Sequence, residues 1–123
     1  MRGEVSDDGF ARISLTIHGP FGRNRTVRAI IDTGFDGCLT LPQNLVTELE
    51  LVYLDQTTIS VGGGAKVRAG KYEAIVEWLG HRRDVPVLSM DQDAYVGMAL
   101  MRGTRLTIEN KLGGVVRINP LSL

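Results

Sequence analysis

The sequence predicts an all-β protein, mainly strands with one or two short helices. Two observations carry this. Fifteen of the 123 residues are glycine, against an average usage of about 7%, and they fall singly or in short clusters between apolar runs, as turns fall between strands. The apolar runs are short, and the clearest of them alternate with period two, whereas one helical stripe stands out before the C-terminal third.

Composition narrows the function classes. Apolar residues make up 43% of the chain, enough for a packed core, so disorder is not expected. Lys+Arg and Asp+Glu both number 14, which favours neither nucleic acid nor an anionic membrane surface as a partner. One cysteine, Cys38, excludes an internal disulfide and fits a reducing compartment. The N-terminal MRGEVSDDGF has no apolar signal region, and no stretch approaches the length of a membrane span. The expectation is a single domain over residues 1–123, cytoplasmic. His18 and His81 lie far apart in predicted loops, with no Cys or carboxylate cluster at ligand spacing, so no metal site and no cofactor is expected.

Taken in order, Phe10 to Ile17 (FARISLTI) places Ile13, Leu15 and Ile17 on one face of a half-buried strand. The segment His18-Gly19-Pro20-Phe21-Gly22-Arg23-Asn24 has the content of a hairpin loop, and Thr26 to Ile31 returns as a strand. Cys38 to Leu41 is a short apolar run. Pro42 to Leu51 is the helical candidate, with Pro42 suited to a first helical position and Leu45, Val46 and Leu49 forming a narrow stripe. Thr57 to Val61, Gly62-Gly63-Gly64, and Ala65 to Trp78 read as a long hairpin with a glycine tip. A phosphate-binding loop fits poorly here: the spacing to Gly70-Lys71 is one residue too long, and Tyr72 stands where Ser or Thr is needed. Gly80 to Asp84 reads as a polar turn, and Val85 to Leu88 as a strand that Pro86 places at an edge or a strand start. Tyr95-Val96-Gly97 leads through Met98 to Gly103 into a strand at Thr104 to Ile108, and Gly114 to Asn119 is the last strand candidate.

The chain is organised around Thr26 to Pro42 (TVRAIIDTGFDGCLTLP). A β-branched run ends on Asp32-Thr33-Gly34, which puts a carboxylate at the mouth of a turn where the following backbone amides can point at it. Gly34 lets the chain pass without a Cβ in the way. By composition the triplet alone would occur in roughly one chain of this length in forty, so the flanking residues carry the weight. Ile30-Ile31 before it, Leu39-Thr40-Leu41 after it, its single copy, and the later Val96-Gly97 with Ala99-Leu100-Met101 together resemble the aspartic proteases of the retroviral kind.

The resemblance spans roughly residues 10–119 and rests on order and pattern. It implies a closed β-barrel of the retroviral aspartic protease type, homodimeric, that hydrolyses peptide bonds in a peptide or protein substrate. Asp32 would be the catalytic carboxylate. Thr33 would hydrogen-bond across the dimer, and Gly34 would hold the carboxylate through its amide. Phe35 and Asp36 would contact substrate, and Gly62, Gly63 and Gly64 would form the tip of a flap. The C-terminal strand, through Val115, Val116 and Ile118, would interleave with the second chain, although an ordinary edge strand fits equally. Two carboxylates about 3 Å apart share a proton around one water. A chain with one Asp-Thr-Gly therefore needs a second copy, related by a two-fold axis.

Two positions depart from the pattern. Phe35 replaces the usual Ala, Ser or Thr, cannot hydrogen-bond the carboxylate and is expected to narrow the cleft; bacterial and archaeal relatives do carry Asp-Thr-Gly-Phe. Met98 replaces an arginine that pairs with the residue at Asp36, leaving Arg12, Arg102, Arg105 or the second subunit to supply a partner. Cys38 lacks an activating base and reads as a small buried hydrophobe. Two other readings stand beside the protease: a peptide-binding or dimerisation module of the same fold with little turnover, and an unrelated barrel in which Asp32 caps a turn.

Overall fold

The structure is a computed structural model describing residues 1–122. Its strands are β1 (Arg2–Val5), β2 (Ala11–His18), β3 (Asn24–Ile31), β4 (Leu39–Leu41), β5 (Val52–Ser60), β6 (Lys66–Trp78), β7 (His81–Ser89), β8 (Tyr95–Val96), β9 (Thr104–Ile108) and β10 (Val115–Pro120), with one helix, α1 (Gln43–Glu48), and a 3₁₀ turn at Gly62–Gly64. They form one sheet in the order β5-β6-β7-β4-β8-β3-β2-β1-β10-β9. β6 also pairs back onto β2 through Ile17↔Val76 and His18↔Ile75. That pairing closes β2, β3, β8, β4, β7 and β6 into a six-stranded barrel.

The core follows from the period-two pattern. Ile13, Leu15 and Ile17 of β2 are fully buried and meet Ala74, Val76 and Trp78 of β6 and Val85 and Val87 of β7 inside the barrel. Helix α1 is too short to hold its shape alone. It is held by burial of Leu45, Val46 and Leu49 and by an ion pair between Glu48 and Arg25. Pro42 caps the helix from just outside it, its carbonyl accepting from the amides of Leu45 and Val46 at 3.1 Å each.

The chain's two ends depart from expectation. Strand β1, with only Val5 fully buried, escapes a period-two reading, yet it fills the place between β2 and β10. The Met1 amine donates to the Ile118 carbonyl at 2.7 Å. β10 therefore has a neighbour on each side, β1 and β9, within its own chain, and Val116 and Ile118 are buried in its own core. The expected interleaving of Val115, Val116 and Ile118 with a second chain, and the edge-strand alternative, are both corrected: β1 occupies the position such a partner would need.

Two smaller corrections concern turns. The β6–β7 turn is just Leu79-Gly80, with Trp78↔His81 already paired, because both residues adopt positive φ (51° and 81°). His81 to Asp84 thus belong to β7, and both histidines sit at strand ends rather than in loops. Pro86 falls inside β7, in the stretch where only β6 lies beside it, before β4 joins at Val87. Residues 98–103, where the resemblance implies a short helix, form successive turns.

Candidate active site

Two strands on either side of a third create the site. β8 pairs in parallel with β3 (Ile31↔Val96) and antiparallel with β4 (Leu39↔Val96). The segment from Asp32 to Cys38, which joins β3 to β4, must therefore cross the end of β8. It crosses at Gly97. A Cβ there would lie 2.2 Å from the Gly37 carbonyl oxygen and 2.5 Å from the Phe35 ring, so only glycine admits the crossing.

The crossing segment is tied down by backbone hydrogen bonds. The Asp32 amide donates to the Val96 carbonyl (2.9 Å), and the amides of Gly97, Met98 and Ala99 donate to the carbonyls of Cys38 (2.9 Å), Phe35 (2.8 Å) and Gly37 (3.1 Å). Within it, the Gly34 amide donates to the Asp32 carboxylate at 2.9 Å, and a Cβ on Gly34 would sit 3.2 Å from that oxygen. The carboxylate is thus aimed by its own loop and half exposed.

Asp32 opens onto a cleft of about 620 Å³. One wall is the crossing segment, with Asp32, Gly34, Phe35, Asp36 and Gly37; the opposite wall is the β5–β6 hairpin, from Thr58 to Gly62. The hairpin tip turns through Gly63 and Gly64 at φ of 80° and 78°, a conformation that costs a side-chain-bearing residue about 1–2 kcal/mol. The structure therefore brings Asp32, Gly34, Phe35, Asp36 and Gly62 to one cleft. Thr33 is exposed beside it, and Gly63 and Gly64 are exposed at the tip.

The Phe35 ring lies against Gly37 and Gly97, at 2.6 Å and 2.5 Å from where their Cβ atoms would be. Two glycines make room for a phenyl ring that forms part of the cleft wall. Asp36 has no ion-pair partner among the described residues, and Arg12 is engaged elsewhere, bonded to Asp8 at 2.6 Å and 3.9 Å from Asp93. Burial holds the Cys38 thiol above its ordinary range, against the pull of Arg83 and Arg102, which is the behaviour of a packing residue.

The third part of the wall gives no sequence motif: Thr40, Leu88, Met90, Asp91 and Tyr95. Thr40 is the buried polar side chain of the core, 4% exposed, and its hydroxyl accepts from the Tyr95 amide at 3.2 Å. A hydroxyl inside the apolar run Cys38 to Leu41 was the one available signal. Tyr95 has its phenol held above the ordinary range by burial, then by the carboxylates of Asp93, Asp91 and Asp32.

Among the described residues no group of His, Cys, Asp or Glu is arranged to hold a metal, and no helix is long and apolar enough to cross a membrane. No family model and no curated protein matches the chain. Among solved structures it is similar to EIAV protease complexed with the inhibitor HBY-793, with a TM-score of 0.58 and 15% identity over 76% of this chain and 86% of that one. The barrel, with its aspartate crossing loop, has the fold of a retroviral aspartic protease.

Proposed function

We propose that the chain is a homodimeric aspartic endopeptidase, each subunit giving one Asp32 to a shared site. The observation that carries this reading is a half-exposed carboxylate, fixed by the Gly34 amide on a backbone-locked loop, facing a glycine-tipped hairpin across a peptide-sized cleft. The chemistry follows. One ionised carboxylate takes a proton from water, and its protonated partner donates to the scissile carbonyl. The shared proton belongs to the pair, whose apparent pKa values separate. The hairpin, pliable at Gly63 and Gly64, acts as the lid that excludes bulk water. Thr33, exposed beside Asp32, faces the second copy.

The free strand edges favour one assembly. Among the described residues only β5 and β9 have a single neighbour. β5 belongs to the hairpin, while β9 follows directly on residues 97–103, which pack on the aspartate loop. Antiparallel pairing of β9 with its copy about Leu106 sets Arg105 opposite Thr107, so no like charges meet.

The fold likeness removes support from the unrelated-barrel reading. A Phe35 ring that blocked the cleft would favour a binding module without turnover, yet the ring rests on Gly37 and Gly97 and leaves the cleft open. The deciding experiment is digestion of a peptide library from pH 3 to 8, wild type beside Asp32→Asn, read by mass spectrometry. Cleavage by wild type alone is expected. No cleavage by a dimeric wild type would transfer the assignment to the binding module.

A further inference from the structure

The chain as a whole is neutral, with 14 basic and 14 acidic residues, but the cleft is not. Its charged lining residues are Asp32, Asp36 and Asp91, and none of its described lining residues is Lys, Arg or His. Asp36 and Asp91 are exposed, and neither has an ion-pair partner among the described residues. The other walls are apolar or hydroxylic: Phe35, Ile59, Val61, Leu88 and Met90 beside Thr58 and Ser60. A concave site with one sign of charge and low-dielectric walls focuses its field on whatever enters.

From this segregation we infer that the cleft selects peptide segments carrying Lys or Arg side chains near the bond to be cut, and rejects acidic ones. The inference rests on the proposed protease reading and adds a substrate class to it. Asp91 is its particular determinant. It enters the cleft from the loop between β7 and β8, at a φ of 60°, a conformation that Asp and Asn tolerate far better than most residues. It lines the same cleft as Asp32 and Tyr95, and after burial and Asp93 it acts on the Tyr95 phenol together with Asp32, opposed by Arg12. In a symmetric pair Asp36 and Asp91 are each present twice, while the two Asp32 carboxylates share one proton, and a cationic side chain is the natural counter-ion. An acidic side chain would add to carboxylates that already lack partners, and that repulsion supplies the discrimination.

The test uses three fluorescent peptides that differ at one position, Lys, Gln or Glu, on a fixed apolar background. Binding is measured by anisotropy on the full-length Asp32→Asn dimer, and cleavage is measured with wild type. The Lys peptide is expected to bind about tenfold more tightly than the Glu peptide at low salt, with the gap shrinking as ionic strength shortens the Debye length. In the Asp32→Asn/Asp91→Asn double variant the Lys-to-Glu ratio should fall, with Asp32→Asn/Asp91→Gly as a second variant that also accepts positive φ. Equal binding of Lys and Glu peptides, no binding of either, or a ratio unchanged by both Asp91 substitutions would overturn the inference. Selective binding of the Lys peptide with no cleavage by wild type would leave it standing and remove the proposed activity instead.

Discussion

At the scale of single residues, Gly97 is the position on which the site depends, because a second stretch of backbone already occupies the space its side chain would need. Gly97→Ala should cost at least the 1–3 kcal/mol typical of overpacking, read as a lower urea midpoint with an unchanged slope. Phe35→Ala removes the ring clash and leaves those with the backbone carbonyls of residues 37 and 35, so the double variant should recover only part of the loss. A second prediction concerns acid. Ser6 and then Arg12 hold the Asp8 carboxyl down to about 2, from an ordinary 3.8. The group is ionised in the folded chain where it would already be protonated unfolded. Its contribution is therefore complete above about pH 4 and is lost as pH falls toward 2. Asp8→Asn should lower stability at neutral pH and flatten the melting temperature against pH across that window. In an acid assay of the proposed activity, part of any loss would then be lost fold.

At the scale of elements, the hairpin and the barrel answer to different demands. The tip at Gly63 meets nothing that a Cβ would touch within 4 Å, so Gly63→Ala adds backbone strain without a clash. It should lower the melting temperature by several degrees, as about 1–2 kcal/mol of strain implies, and lower kcat on one peptide as well, because the proposed lid is stiffened while the core is untouched. The elements also show what was legible beforehand. The alternation in residues 10–17 and the apolar run before Asp32 gave β2 and β3 almost to the residue, because burial on one face writes itself as a period of two. The aspartate, its Gly34 and Gly97 were legible for a related reason: a crossing backbone tolerates few side chains. β1 was not legible, since RGEV buries one side chain fully and owes its place to β10, over a hundred residues away. The tight Leu79-Gly80 turn was missed because a leucine at φ 51° leaves no mark in composition. Asp91 and Tyr95 were missed as cleft residues because their meeting with Asp32 is set by the closure of the barrel.

For the whole molecule, the proposed dimer makes concentration a variable of catalysis. Activity per subunit should fall on dilution while far-UV circular dichroism stays constant, and the midpoint should agree with the dissociation constant from sedimentation. A loss of dichroism in parallel with activity would contradict this. The reason lies in the ends of the chain. With the Met1 amine bonded to Ile118 and β10 flanked by β1 and β9, each subunit completes its own sheet before it meets another. Assembly is then an encounter of finished bodies, with no folding step to wait for. Such encounters proceed at about 10⁵–10⁷ M⁻¹s⁻¹. A diluted and silent sample brought back to micromolar concentration should therefore regain its activity within about ten seconds, with no lag.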